Sequence, residues 1–158
     1  MPIRIDSIDK KVVALLQTDG RMPCAEIARR IGHVTERVVR HRIKRMVEEG
    51  VITVSAVLSP AAIGYPVIAD VWVETEASAT TEVAMVLTKL ESVNYLAYST
   101  GDRNISLQLC APDIAGLHHE VADVISRVPG VRRTTVTIIP VILKDLHQWN
   151  FPSAVVEP

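Results

Sequence analysis

Aromatic side chains are scarce in this 158-residue chain: one Phe, two Trp and three Tyr, 4% of the total. Its cores must therefore be aliphatic, built from Val, Ile, Leu and Ala. Cysteine is as rare. Cys24 and Cys110 are far apart in sequence and too few for a disulfide framework, so both are read as reduced thiols. No apolar run approaches the ~20 residues that span a bilayer. The basic-then-apolar start of a signal peptide is missing too, so a cytoplasmic protein without a membrane partner is expected. His118 and His119 are adjacent and would point about 100° apart on a helix, which excludes an easily shared metal ion. Phosphate-cradling glycine loops, HExxH and recognisable nucleophile motifs are absent, so no catalytic residue and no cofactor is expected.

What the chain does have is an uneven distribution of charge. Apolar residues make up 48% and charged residues 22%, an ordinary globular composition. The net charge is −1, yet residues 1–53 hold 11 Lys/Arg against 7 Asp/Glu, and residues 54–158 hold 6 against 11. A basic first third joined to an acidic remainder suggests an anion-binding module attached to something else, and nucleic acid is the commonest such anion.

Residues 1–52 read as three helices. Asp6 or Ser7 can cap the first, with Asp9 favouring its first turn and Ile8, Val12, Leu15 and Leu16 facing a core. Asp19-Gly20 breaks it. A second helix runs from about Pro23, a residue suited to the first helical position, to Ile31, and Gly32 ends it. Thr35 caps a third helix in TERVVRHRIKRMVEEG, whose Val39, Ile43 and Met46 form an apolar stripe. Arg37, Arg40, His41 and Lys44 form a second stripe, centred roughly 150° from the first. Two short helices, a tight turn and a helix with a basic outer face make a helix-turn-helix. In that motif the N-terminal half of the last helix meets the major groove. Arg37, Arg40 and His41 are then candidates for base edges or phosphates of double-stranded DNA, with Thr35 at the start of the same DNA-binding set, and Lys44, Arg45 and Arg42 for phosphates. Arg42 sits near the apolar flank, where it could instead pair with an acidic neighbour.

Residues 53–64 are read as a linker strand, part of an extended run from Val51 to Leu58 punctuated by Pro60 and Gly64. Residues 65–145 then show the order strand, helix, strand, strand, helix, strand, a ferredoxin-like βαββαβ module. Its expected strands are Val67 to Glu74, Tyr95 to Thr100, Asn104 to Cys110 and Val131 to Leu143. Its expected helices are Ala79 to Glu91, with Val83, Val86, Leu87 and Leu90 inward, and a second capped by Asp113. In the second, Ile114, Leu117, Val121, Val124, Ile125 and Val128 face inward. Two helices cover one face of a four-stranded sheet, leaving Asp70, Trp72, Ser106 and Gln108 on the other. A bare Trp there predicts burial against another copy, hence a homodimer. The fold class is α+β: a winged-helix-like helix-turn-helix domain over 1–52 followed by the ferredoxin-like domain. The tail, 146–158, carries Trp149 and Phe151 and could pack on a neighbouring subunit or cover the chain's own sheet edge.

Several stretches resemble the Lrp/AsnC family of regulators, also called feast/famine regulators. They are Ile8-Asp9-Lys10-Lys11-Val12-Val13, Leu16-Gln17-Thr18-Asp19-Gly20-Arg21, Glu26-Ile27-Ala28-Arg29-Arg30-Ile31-Gly32, Arg42-Ile43-Lys44-Arg45-Met46 and Glu49-Gly50-Val51-Ile52. Two positions depart from the family pattern. Gly32-His33-Val34-Thr35 is one residue longer than the usual Gly-Leu-Ser turn, with Thr35 in the Ser role, and Pro23 stands where a capping Ser is usual.

The resemblance implies a sequence-specific transcriptional regulator responsive to an amino acid or related metabolite, dimeric and often assembled into tetramers or octamers. Taken alone, Thr100-Gly101-Asp102-Arg103-Asn104 reads as a hairpin turn. The resemblance implies that it lines an effector pocket between subunits, with Thr135 and Thr137 on the far wall. Asn104 stands where the family has Asp, which removes a carboxylate that would pair with an ammonium group. Two other readings share this architecture. Siroheme decarboxylases resemble it, although their aromatic Asn-Leu-Trp-Phe run is here Asn104-Ile105-Ser106-Leu107. A ligand-binding adaptor that does not read DNA is the other.

Overall fold

The computed structural model describes residues 3–157, which divide into two compact units: Met1–Val57 with Leu143–Pro158, and Leu58–Ile142. The first unit opens with a two-residue strand, β1 (Ile5–Asp6), and three helices, α1 (Ser7–Thr18), α2 (Cys24–Ile31) and α3 (Glu36–Glu48). Asp6 caps α1 in a reciprocal box. Its carboxylate accepts the Ile8 and Asp9 N–H groups at 2.9 Å, while Asp9 Oδ2 accepts from the Asp6 N–H at 3.2 Å. Pro23 is the N-cap of α2 rather than its first helical residue, one position earlier than expected, and its side chain makes no capping bond. Gly32 ends α2 in the left-handed region at φ 95°, where a side chain would be strained. Val12, Ile27, Val39 and Met46 are fully buried at the centre of this unit.

The tail belongs to this helical unit. Val156–Glu157 pairs in parallel with β1, Gln17 Nε2 donates to the Trp149 carbonyl at 2.8 Å, and Phe151 packs against the helical core. The sequence left its docking site open between a neighbouring subunit and a sheet edge; within the chain it closes on the three helices.

The strand expected over Val51 to Leu58 is absent. Residues 52–59 carry no regular structure and the linker next turns through a single 3₁₀ turn, Ala61–Ile63. A strand exists only with a partner ladder, and no described segment of this chain pairs with it.

The second unit contains β2 (Val67–Thr75), α4 (Thr80–Leu87), β3 (Val93–Tyr98), β4 (Ile105–Ala111), α5 (Ile114–His119) and β5 (Val131–Ile139). The sheet order is β3-β4-β2-β5 with every neighbour antiparallel, as a ferredoxin-like connection requires. Alternation along β2 buries Ala69, Val71 and Val73, which pack with Leu87, Leu107 and Ile125 beneath the helices. On the other face Asp70 lies opposite Gln108 and Trp72 opposite Ser106, and Gln108 Nε2 donates to Asp70 Oδ1 at 2.9 Å. The expected open face is therefore present.

Helix lengths and two inward assignments need correction. The helix α4 stops at Leu87, and Val86 is 45% exposed because it falls beside the buried Val83–Leu87 line. Ile114 is 57% exposed at the start of α5. After α5 the chain widens into a π turn, Glu120–Val124, then tightens into a 3₁₀ turn, Ile125–Arg127. Leu117, Val121 and Ile125 are all buried. At 3.6 residues per turn a four-residue spacing would drift off one line, and the local widening keeps all three against the sheet. Gly130, at φ 93°, then makes a close approach: a Cβ there would sit 2.4 Å from the Ala79 Cβ. The last strand ends at Ile139 rather than Leu143, where Pro140 stops the ladder.

Candidate functional site

The helix α3 is positioned by its own cap and by a buried carboxylate. Thr35 Oγ1 accepts from the Val38 N–H at 3.4 Å, fixing the start of the helix. Asp9 of α1 is wholly buried, and two guanidiniums of α3 close on it: Arg42 Nη1 at 2.9 Å and Arg45 Nη2 at 2.6 Å. Arg42 Nη1 also donates to Asp6 Oδ2 at 2.7 Å. Partial burial opposes ionisation of Asp6, but the Asp9 amide and Arg42 outweigh it and hold this carboxyl below its usual value. Arg45 was expected at a phosphate. It faces inward instead, because its position on the flank of α3 brings it over α1, where it pairs with the buried Asp9 carboxylate. Among the described residues its Nε reaches only Glu49 Oε2, at 3.8 Å. Arg42 takes the structural alternative its sequence position allowed.

The remaining expected residues, Thr35, Arg37, Arg40, His41 and Lys44, are all exposed. Among the described residues Arg37 has no ion-pair partner. Arg40 pairs with Glu36, and Lys44 Nζ lies 3.6 Å from Glu48 Oε1. Exposed pairs of this kind are worth about 0–1 kcal/mol and yield readily to a phosphate. Val38, 38% exposed beside this row, escaped the sequence reading because it belongs to neither stripe. An exposed apolar side chain at the start of such a helix is suited to a thymine methyl group.

In the second unit the turn between β3 and β4 is tied at its base. The Ser99 N–H donates to the Asn104 carbonyl at 2.9 Å, and the Ser99 hydroxyl donates to the Arg103 carbonyl. Gly101, at φ 109°, permits the reversal. Thr100, Gly101, Asp102 and Arg103 are exposed, and Asn104 is half-buried. Asn104 Oδ1 accepts the Thr75 N–H at 2.9 Å, so this side chain closes the end of β2. Arg103 folds back over the Trp72 ring, 5.6 Å from its centroid, a cation–π contact. Thr135 lies opposite Trp72 in the register and Thr137 opposite Asp70. Arg103, Trp72 and Thr135 thus meet on the open face, with Thr137 one step further along. Trp72 was expected on this face but not beside the turn; only the register reveals that contact. A separate groove of about 360 Å³, lined by Leu117, His118, Val121, Ser126, Thr134 and Val136 among others, contains none of the turn residues. No group of three or more metal-ligating side chains occurs among the described residues. No described helix is long and apolar enough to cross a membrane.

Known proteins share both units. Residues 5–47 match the AsnC-type helix-turn-helix domain and residues 68–147 match the Lrp/AsnC ligand binding domain. An uncharacterised HTH-type transcriptional regulator of Pyrococcus abyssi is 34% identical over 150 residues, covering 94% of this chain and 92% of that protein. The HTH-type transcriptional regulator LrpA of Pyrococcus horikoshii is 33% identical over 136 residues, covering 85% and 96%. Among solved structures, AsnC of E. coli superposes with a TM-score of 0.81 at 23% identity, covering 92% of this chain and 99% of that one. A transcriptional regulator of Neisseria meningitidis in complex with L-Met gives a TM-score of 0.80 at 23% identity, covering 89% and 93%. With a helix-turn-helix whose last helix carries exposed cations, a ligand-binding domain of matching topology and relatives across nearly its whole length, the chain belongs to the Lrp/AsnC family of DNA-binding transcriptional regulators.

Proposed function

We propose that this regulator reads operator DNA through the exposed row on α3, with Arg37, Arg40 and His41 at base edges and Thr35 and Lys44 at phosphates. One observation carries the assignment. Arg42 and Arg45 are spent holding the helix to Asp9, whereas Arg37 and its neighbours along the row stand in solvent. A helix fixed from behind and cationic in front suits groove recognition. The open face of the sheet, with Trp72 at its centre, supports a homodimer that would present two reading helices to a two-fold site, with further assembly into tetramers or octamers. The turn 100–104 with Trp72, Thr135 and Thr137 is assigned to a small-molecule effector. The Neisseria relative seen with L-Met supports an amino acid or related metabolite as its class. The coupling between effector and DNA would be about 1–3 kcal/mol.

Genome-wide mapping of the DNA bound by the protein tests the reading. A shared pseudo-palindromic motif beneath the occupied sites is expected. Occupancy without any common sequence would reject base-specific reading.

A further inference from the structure

The turn at 100–104 carries a neutral amide, Asn104, next to a cation, Arg103, with Asp102 as its one carboxylate. Asn104 Oδ1 takes the Thr75 N–H at 2.9 Å, which occupies one of the two lone pairs of its single side-chain acceptor atom. Its Nδ2 group has no partner among the described residues, so both N–H donors of the amide are free for a ligand. Arg103 pairs with no carboxylate among the described residues, and its guanidinium lies 5.6 Å from the centroid of Trp72. Ser106 and Thr135, the two register partners of Trp72, offer hydroxyls that can donate. Two of the nearby acids have other neighbours, and the third is open to solvent. Asp70 accepts from Gln108 at 2.9 Å, Glu74 lies opposite Arg133 in the register, and Asp102 is exposed in the turn.

We infer that the ligand this turn selects is a carboxylate lacking an α-ammonium group, of the 2-oxo acid type. This rests on the assignment of the turn as the effector site. The ligand carboxylate meets Arg103 and Asn104 Nδ2, a charge-assisted pairing. Its 2-oxo oxygen accepts from a hydroxyl of Thr135 or Ser106, and its side chain lies along Trp72. An α-amino acid brings an ammonium to the same corner. There it finds the like charge of Arg103 and, at position 104, a neutral amide rather than a carboxylate, so its desolvation is poorly compensated.

Calorimetric titration of the full-length protein with matched probes tests the inference. The probes are leucine, 4-methyl-2-oxopentanoate and leucinamide, and phenylalanine, phenylpyruvate and phenylalaninamide. The 2-oxo acid is expected to bind at least about tenfold tighter than its amino acid, with the amide weakest. Arg103→Ala should weaken the 2-oxo acid by about tenfold or more. Asn104→Asp keeps an oxygen for the Thr75 N–H and replaces the outward donor with an acceptor. It should move the preference about tenfold or more toward the amino acid.

Amino acid binding as tight as or tighter than the 2-oxo acid overturns the ligand class. The turn remains the site in that case if Arg103→Ala or Asn104→Asp still alters affinity. Binding that ignores both substitutions overturns the site and the inference together. Failure of every probe to bind the wild type overturns the inference, and recovery of binding in Asn104→Asp would keep the turn as the site. Loss of 2-oxo acid binding in Asp102→Asn but not in Arg103→Ala also contradicts it.

Discussion

Asp9 is the residue on which the reading helix depends. It lies wholly buried between Arg42 and Arg45, and among the described residues it is the one carboxylate that both guanidiniums share. Replacing Asp9 with Ala removes the carboxylate that both partly buried cations share, leaving Arg42 with Asp6 alone and Arg45 with only the 3.8 Å contact to Glu49. Because Arg42 and Arg45 side chains keep 20% and 32% exposure, the cost is set below that of a fully buried pair, at about 2–4 kcal/mol. Urea denaturation followed by circular dichroism checks this; a loss below about 0.5 kcal/mol would refute it. Its carboxylate could be assigned to the first turn of α1 from sequence. The pairing with α3 could not, because it joins positions 33 and 36 residues apart and no local pattern records it. That is also why Arg45 looked like a phosphate contact.

At the scale of elements, the helices and strands of both units follow from periodicity, and their departures have local causes. The π turn after α5 exists because Leu117, Val121 and Ile125 all face the sheet, and the tail docks because Phe151 finds the helical core. Neither was legible. The first is a choice between windings with the same apolar residues, and the second is a long-range contact of a segment whose apolar side chains follow no helical or strand period. Removing residues 146–158 strips Phe151 and the strand beside β1 from the helical unit, which should lose about 1–3 kcal/mol. Thermal unfolding of the truncated protein is the check, and an unchanged Tm would show that the tail contributes nothing.

A pH dependence belongs to α2. Glu26 accepts from Arg29 and Arg30, and these bonds, Arg29 first, lower its pKa to about 2 from 4.5. A carboxyl depressed in the folded state stabilises above its unfolded value and loses that contribution as pH falls through its folded value. Glu26→Gln should therefore narrow the difference in stability between pH 6 and pH 2, visible as a smaller drop in Tm on acidification. An equal drop in both proteins would contradict it.

For the whole molecule, the division of labour was legible early. The charge asymmetry separated a basic helical third from an acidic α/β remainder, and the matches to two family domains fall on those same segments. Less legible was the corner where Arg103, Trp72 and Thr135 meet, since it depends on a register that aligns β2 with both β4 and β5.

Binding of the full-length protein and of Arg37→Ala to a mapped operator and to scrambled DNA, across a salt series, tests the central claim most directly. The wild type should prefer the operator and lose affinity steeply with salt, with a log–log slope of about −4 or steeper. Arg37→Ala should lose about 1–3 kcal/mol on the operator, much less on scrambled DNA, and unfold at the wild-type temperature. Equal losses on both DNAs, or none, would contradict the assignment of α3 as the helix that reads sequence.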